Sequence, residues 1–268
     1  MRDLLKLAER AARSGGEILR SYFQGNYSVT SKGPDNPVTL ADTETDALLK
    51  AILLNACPDY GWLSEESADS PERLARSRIW IVDPLDGTRE FIAGRTEFVV
   101  SIGLAENGQP ILGVLYNPIT DELFSAASGQ GAFLNGRPIH CTNPNSLKES
   151  HLIVSRTEAA AGLWDTFMNN FKTVEPRGSV AYKLTKVAAG SADLHISLKP
   201  KNEWDVCAAH CLLREAGAEL TGRDGQPITY NRENPIVPGG LIAGNERLVR
   251  QVLCKAISEH NPGGKSPI

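Results

Sequence analysis

Residues 79–88 read Ile-Trp-Ile-Val-Asp-Pro-Leu-Asp-Gly-Thr, and this stretch constrains the chain more than any other. A short apolar run ending in Asp predicts a buried strand that delivers a carboxylate at its tip. Pro84 fixes its own φ and keeps Asp83 out of the α region, so the chain turns at that point. Asp86 follows three residues after Asp83, Gly87 lets the backbone pass close to a ligand, and Thr88 can open a helix. Two carboxylates in one turn repel unless a cation or a proton sits between them. A helix start beside them offers N–H groups to an anion. A metal-plus-phosphate site is one reading of these ten residues; a strand followed by an ordinary Asp/Gly turn is the other.

The chain has 268 residues, enough for one large α/β domain or two closely packed halves. Its 41% hydrophobic and 22% charged content is that of a globular protein with a sizeable core. The net charge of −4, with no basic block, argues against a nucleic-acid polymer as partner, although a small nucleotide fits. No apolar run approaches the ~20 residues that span a bilayer, and Met-Arg-Asp-Leu-Leu-Lys at the start lacks a signal-peptide core. Cys57, Cys141, Cys207, Cys211 and Cys254 form no zinc pattern, and their scatter suits a reducing cytoplasm. Cys207 and Cys211, four apart on an expected helix, read as buried thiols.

Apolar spacing predicts a helix over 2–23 and, after a Gly/Pro/Asn-rich loop, a second over 39–55 with Thr39 as its cap. Residues 60–64 read as a short strand, 67–77 as a polar mobile loop. Beyond the central motif, strands over 97–105, 111–117, 121–126 and 131–134 form an antiparallel meander. From about 150 strands and helices alternate: strand 151–155, helix 158–171, strand 172–175, helix 179–189, strand 193–198, helix 203–217, strand 239–243 and helix 245–258. The expected organisation is a mostly antiparallel α+β half over 1–140, an α/β half over 141–260, and a disordered tail over 261–268.

Three further acidic sites fall where elements end. Glu65 and Glu66 close the strand Gly-Trp-Leu-Ser, Asp42 lies on the first turns of the second helix, and Asp205 opens the helix after Asn-Glu-Trp. Singly, each has an ordinary explanation: helix-dipole pairing for the two aspartates, a solvated loop for the glutamates. Together they match an arrangement. Trp62-Leu-Ser-Glu-Glu-Ser67, Asp83-Pro-Leu-Asp-Gly-Thr88 and Trp204-Asp205, in that order, resemble the motifs of the inositol monophosphatase superfamily of magnesium-dependent, lithium-sensitive phosphatases, over about residues 5–258. The resemblance implies a layered αβαβα sandwich, the sugar-phosphatase fold. It implies that Glu65, Asp83 and the Leu85 carbonyl hold one Mg²⁺, that Asp83, Asp86 and Asp205 hold a second, and that a weaker third ion sits on Glu65. By the same resemblance Asp42 and Thr88 activate water, Asp86, Gly87 and Thr88 contact the phosphate, and Lys32 closes over the site. The chemistry agrees, since Mg²⁺ takes oxygen ligands and is usually completed by substrate phosphate.

The substrate is less constrained. Thr88-Arg-Glu-Phe-Ile92 resembles bacterial 3′(2′),5′-bisphosphate nucleotidases, and Gly178-Ser-Val-Ala-Tyr-Lys183 resembles that branch's motif, in which Ser179 and Lys183 would lie near the ribose and its remaining phosphate. The same six residues also read as a helix start with a Ser cap and a solvated Lys. Leu198-Lys-Pro-Lys-Asn-Glu203 departs from the branch pattern. Trp204 reads either as a base-pocket wall or as core, and Glu203 as a partner for a substrate hydroxyl. The expectation is hydrolysis of adenosine 3′,5′-bisphosphate to AMP. The alternatives are an inositol or broad-range sugar monophosphatase, and a non-catalytic metal- or phosphate-binding protein. The resemblance is compatible with monomer and homodimer alike.

Overall fold

A computed structural model of the chain describes residues 1–25, 29–31 and 37–259. The N-terminal part runs α1 (Arg2–Tyr22), β1 (Val29–Ser31), β2 (Pro37–Thr39), α2 (Leu40–Ala56), β3 (Gly61–Ser64), β4 (Arg78–Asp86), α3 (Thr88–Ile92), β5 (Val99–Glu106), β6 (Gln109–Asn117), β7 (Glu122–Ala127), β8 (Ala132–Leu134) and β9 (Arg137–Ile139). Strands β3 to β9 make one seven-stranded sheet in sequence order, antiparallel except that β3 runs parallel to β4. The second part runs β10 (His151–Ser155), α4 (Arg156–Ala160), β11 (Thr173–Arg177), α5 (Val180–Ala188), β12 (Leu194–Ser197), β13 (Lys201–Asn202), α6 (Glu203–Glu215), β14 (Glu219–Gly222), β15 (Ile236–Val237), β16 (Leu241–Gly244) and α7 (Glu246–Glu259). Its five-stranded sheet has the order β11-β10-β12-β16-β14.

Residues of β4 alternate between two cores, as a strand's period of two requires. Trp80 and Val82 face α1 and α2, joining Leu49, Leu53 and Phe98. Ile79 and Ile81 face the other way, joining Ala181 and Leu184 of α5 and Val206 to Leu213 of α6. That second cluster also takes Ile153 and Ala243 from the smaller sheet, whose far side packs Leu152 and Ile242 against Trp164 and Leu248. The layers therefore run helix, sheet, helix, sheet, helix, as the αβαβα expectation requires.

Helix α6 lies unusually close to the large sheet. Gly103 and Gly113 pair in register on β5 and β6. A Cβ at Gly113 would fall 2.0 Å from the Ala208 carbonyl oxygen, and one at Gly103 would fall 2.7 Å from Cys207 Sγ. These two glycines bring a helix of the second part down onto the first, with Asp205 at its start. Cys207 and Cys211 are buried on this contact.

Three stretches differ from expectation. The helix expected over 158–171 shortens to α4 and a single 3₁₀ turn at Met168–Asn170. Gly162 turns the chain at φ +71°, and Trp164 folds inward to the core with its indole nitrogen on Glu158 (3.4 Å). The 67–77 segment contains a 3₁₀ turn, Pro71–Ala75, whose Arg73 is buried and clamped by Asp69 (2.6 Å), Asn231 (2.9 Å) and the Arg232 carbonyl (2.9 Å). The short strands β9, β13, β14 and β15 carry too few residues for their alternation to read. The tail over 261–268 lies outside the described residues, among which no helix is long and apolar enough to cross a membrane.

Gly113→Ala forces α6 off the sheet. It is expected to lower unfolding free energy by about 1–3 kcal/mol or more, measured by urea denaturation, and to weaken divalent-metal binding because Asp205 moves with the helix.

Candidate active site

Register delivers the acids. Parallel pairing sets Ser64 opposite Val82, so the next residue on each strand, Glu65 and Asp83, leaves the sheet at the same edge. The β4–β5 ladder is irregular between Asp83 and Asp86, where Pro84 interrupts it. Asn202 caps α6 through a capping box with Asp205, which fixes that carboxylate at the helix start. Oxygens of Glu65, Asp83 and Asp205 lie within 4.8 Å of one another. Nothing but oxygen is offered there, a donor set that suits a hard divalent cation.

Burial, then the charges of Glu65, Asp86 and Asp205, raise the Asp83 carboxyl well above the ordinary range. Burial and Asp86 push Asp205 up to about 7. Asp86 is also raised by burial, but Ser179 Oγ (2.5 Å), the Ala181 amide (2.5 Å) and the Val180 amide (3.3 Å) bond its ionised form and oppose the rise. Asp86 therefore joins the group tethered to the first turn of α5, and it stands outside the tightest trio. Ser179 caps α5 at φ +51°, a conformation unfavourable for a residue with a Cβ.

Asp42 is buried at the first turn of α2. One oxygen accepts from the Thr39 amide (2.8 Å) and hydroxyl (2.6 Å), and the other accepts from Thr88 Oγ (3.0 Å). Burial raises its pKa, against these bonds. The Thr88 hydroxyl also lies 3.2 Å from the Leu85 carbonyl. Gly87 takes φ +107°, and a Cβ there would meet the Glu97 carbonyl at 2.8 Å and Ser179 Cβ at 3.1 Å, so the turn into α3 requires glycine.

Glu65, Asp83, Asp86, Thr88, Ser179 and Asp205 line a cleft of about 270 Å³ between the two parts of the chain. A charge network closes its side. Arg156 bonds Glu90 (2.5 Å) and Glu97 (2.5 Å), Arg177 bonds Glu97 (3.0 Å) and Glu175 (2.5 Å), and the Gly178 amide donates to Glu97 (3.1 Å). Burial acts to raise the Glu97 carboxyl, but Arg156, the Gly178 amide and Arg177 outweigh it and hold it low. Glu90 and Glu97 belong to the first part, while Arg156, Arg177 and Gly178 belong to the second, so the network ties the parts together beside Ser179.

The sequence-selected substrate residues divide. Lys183 lines the cleft but is buried, and its ammonium points at the carbonyls of Arg177 (3.5 Å), Gly178 (3.4 Å) and Ser179 (2.5 Å). All three donors of an ammonium are thus engaged with backbone. Burial lowers its pKa to about 8, against the pull of Asp86. Glu203 is turned away from the cleft: it is fully buried and accepts from the Asn231 (2.7 Å) and Arg232 (3.0 Å) amides, which corrects its expected place at a substrate hydroxyl. Trp204 packs on the core around α6 rather than forming a pocket wall. Lys32 lies outside the described residues. Sequence reasoning passed over Lys201, which is half-buried on the cleft wall. Among the described residues its ammonium meets only the Pro200 carbonyl (3.2 Å), and no ion pair holds it.

A folded carboxyl raised above its unfolded value loses stability as pH climbs from the ordinary carboxylate range through its folded pKa, here about 7 for Asp205. A divalent cation bound by these carboxylates would offset the lost protons. The rise in melting temperature on adding Mg²⁺ to EDTA-treated protein is therefore expected to be larger at pH 8 than at pH 5.5, measured by calorimetry.

Comparison with known proteins agrees with this geometry. The pattern of the inositol monophosphatase family matches residues 1–261. An inositol-1-monophosphatase of Mesorhizobium japonicum is 34% identical over 266 residues, covering 96% of this chain and 96% of its own. The 3′(2′),5′-bisphosphate nucleotidase CysQ of Escherichia coli is 34% identical over 234 residues, 85% of this chain and 94% of its own. The solved structure of the extragenic suppressor protein suhB from Bartonella henselae superposes with a TM-score of 0.83 at 30% identity, covering 94% of this chain and 97% of that one. The chain belongs to the inositol monophosphatase family and is a metal-dependent phosphatase.

Proposed function

We propose that the protein hydrolyses adenosine 3′,5′-bisphosphate to AMP and phosphate in the cytoplasm, with two to three Mg²⁺ ions as cofactor. The reaction rests on one observation: three carboxylates within 4.8 Å of one another, in the same cleft as a threonine hydroxyl bonded to a buried aspartate. Glu65, Asp83, the Leu85 carbonyl, Asp86 and Asp205 would hold the ions. Bound there, magnesium supplies an acidified water and neutralises charge on the phosphate.

The chain's own residues do the rest. Thr88 Oγ accepts a proton from the attacking water as it passes its own to Asp42 Oδ1. The bonds from Thr39 hold that carboxylate in place, and its raised pKa suits it to receive the proton. Amides of Gly87 and Thr88 hold the phosphate oxygens. Tethering of Asp86 by Ser179 and the α5 amides keeps its carboxylate from swinging as charge moves.

The nucleotide reading is supported by a cation on the cleft wall that no ion pair holds among the described residues. A substrate that keeps a second phosphate after cleavage needs a positive charge that no carboxylate already holds in an ion pair. Lys201 meets that need: it lies on the cleft wall near enough to Asp205 to oppose the rise of its pKa. Arg156 and Arg177 are committed to Glu90, Glu97 and Glu175.

Asp83→Asn is expected to lose at least ~10³-fold in turnover; near-native magnesium-dependent hydrolysis in that variant would overturn the mechanism. Phosphate release from adenosine 3′,5′-bisphosphate and from inositol 1-phosphate, with Mg²⁺ and then with added Li⁺, tests the substrate. The nucleotide is expected to turn over faster, and Lys201→Ala to raise its KM about tenfold while leaving that of inositol 1-phosphate unchanged. Preference for inositol 1-phosphate would reverse the substrate assignment and leave the reaction standing.

A further inference from the structure

We infer that Asp46 is a positioning residue that sets the place of Glu65, and hence the metal affinity of the site, without touching the metal or the substrate. This rests on reading Glu65 as a metal ligand. Asp46 lies one helical turn after Asp42 on α2 and is 6% exposed. Its two carboxylate oxygens accept from two different hydroxyls, Oδ1 from Ser64 Oγ and Oδ2 from Ser67 Oγ. Those serines bracket Glu65 and Glu66 in the chain. One carboxylate thus pins both ends of the turn that carries the metal-ligating glutamate.

The rest of the turn is anchored through the same two hydroxyls. Ser67 Oγ also accepts from Trp62 Nε1 (3.3 Å), and Ser64 Oγ lies 3.4 Å from the Glu66 amide. The Glu65 amide reaches back to the Val82 carbonyl (3.3 Å), next to Asp83. An ionised acceptor binds a hydroxyl about twice as strongly as a neutral one. A buried carboxylate is costly unless such bonds compensate it, and this one lies beside a site already crowded with acids. Its two bonds meet on the segment between β3 and the metal cluster. Groups that orient metal ligands from behind typically alter metal affinity or activity by 10–100-fold when removed.

The same helix therefore carries two separate tasks at i and i+4. Asp42 holds the Thr88 hydroxyl, and Asp46 holds the glutamate turn. Moving α2 would disturb water activation and metal binding together, whereas replacing Asp46 should disturb metal binding alone.

The test is isothermal titration of Mn²⁺ into the full-length protein, with parallel magnesium-activation curves on the proposed substrate. Asp46→Asn keeps the shape but replaces one acceptor oxygen with an amide. It is expected to raise the Mn²⁺ dissociation constant and the half-activating Mg²⁺ concentration about tenfold. At saturating Mg²⁺ the substrate KM stays at the wild-type value. Ser67→Ala, at a half-exposed position that does not endanger folding, is expected to shift both constants in the same direction. Ser67→Thr, which retains the hydroxyl, is expected to restore them. Unchanged Mn²⁺ affinity in folded Asp46→Asn and Ser67→Ala protein would overturn the inference. Should Asp46→Asn fail to fold, Ser67→Ala against Ser67→Thr decides it alone. Wild-type protein that binds no Mn²⁺ would overturn the ligand role of Glu65 as well; wild-type binding with unaffected variants overturns only the role of Asp46.

Discussion

Everything in this molecule is arranged around the mutual repulsion of buried carboxylates at the end of one strand. Two charges at the 4.8 Å that bounds the Glu65–Asp83–Asp205 cluster repel by roughly 3 kcal/mol at an effective dielectric of about 20. Three such pairs are comparable with the whole stability of a typical domain, about 5–15 kcal/mol. A fold can tolerate that only by holding protons there or by accepting a cation. The raised pKa values of Asp83 and Asp205 are the first response, and divalent-metal binding is the second. Stability forgone without metal becomes binding free energy with it.

Holding the acids in place takes structure from both parts of the chain. The large sheet brings Glu65, Asp83 and Asp86, and α6 brings Asp205. Helix α6 reaches the sheet only because Gly103 and Gly113 leave no side chain in its path. On the other flank, Glu97 accepts from Arg156, Arg177 and the Gly178 amide. That junction fixes the loop in which Ser179 is held at positive φ, and Ser179 in turn holds Asp86. The strained residue is kept in its unfavourable conformation by bonds that cross the cleft, which makes alignment of the two parts a condition of the site's geometry.

Local patterns in the sequence carried the elements that local physics decides. The apolar run into Asp83, the Thr39 cap and the meander turns are visible because each depends on spacing or on a residue's own backbone preference, whereas Asp42, Glu65, Asp86 and Asp205 acquire meaning only together, through the family resemblance. What the sequence concealed depends on distant partners. Glu203 looks like a site residue because it precedes Trp204-Asp205, yet amides nearly thirty positions later claim it. Arg73 sits in a polar stretch that reads as loop, and only Asn231 and the Arg232 carbonyl make it a buried clamp. The helix expected over 158–171 had suitable apolar spacing, but Gly162 and the inward turn of Trp164 divide it. Asp46 carries no motif at all; its meaning lies in two serines eighteen and twenty-one residues away.

The two lysines of the cleft show why charge at a site differs from charge available to a substrate. Lys183 stands in the motif that resembles a nucleotide site, but three carbonyls of residues 177–179 surround its ammonium. It braces that loop, and its charge opposes the rise of the Asp86 pKa. Lys201 belongs to a stretch that departs from the nucleotidase pattern, yet its ammonium has a single backbone contact among the described residues. A phosphate arriving there displaces little, whereas one arriving at Lys183 would have to break bonds that hold Ser179 in place. Substrate choice is therefore expected to follow the wall that carries Lys201, while the motif around Ser179 holds Asp86 in place.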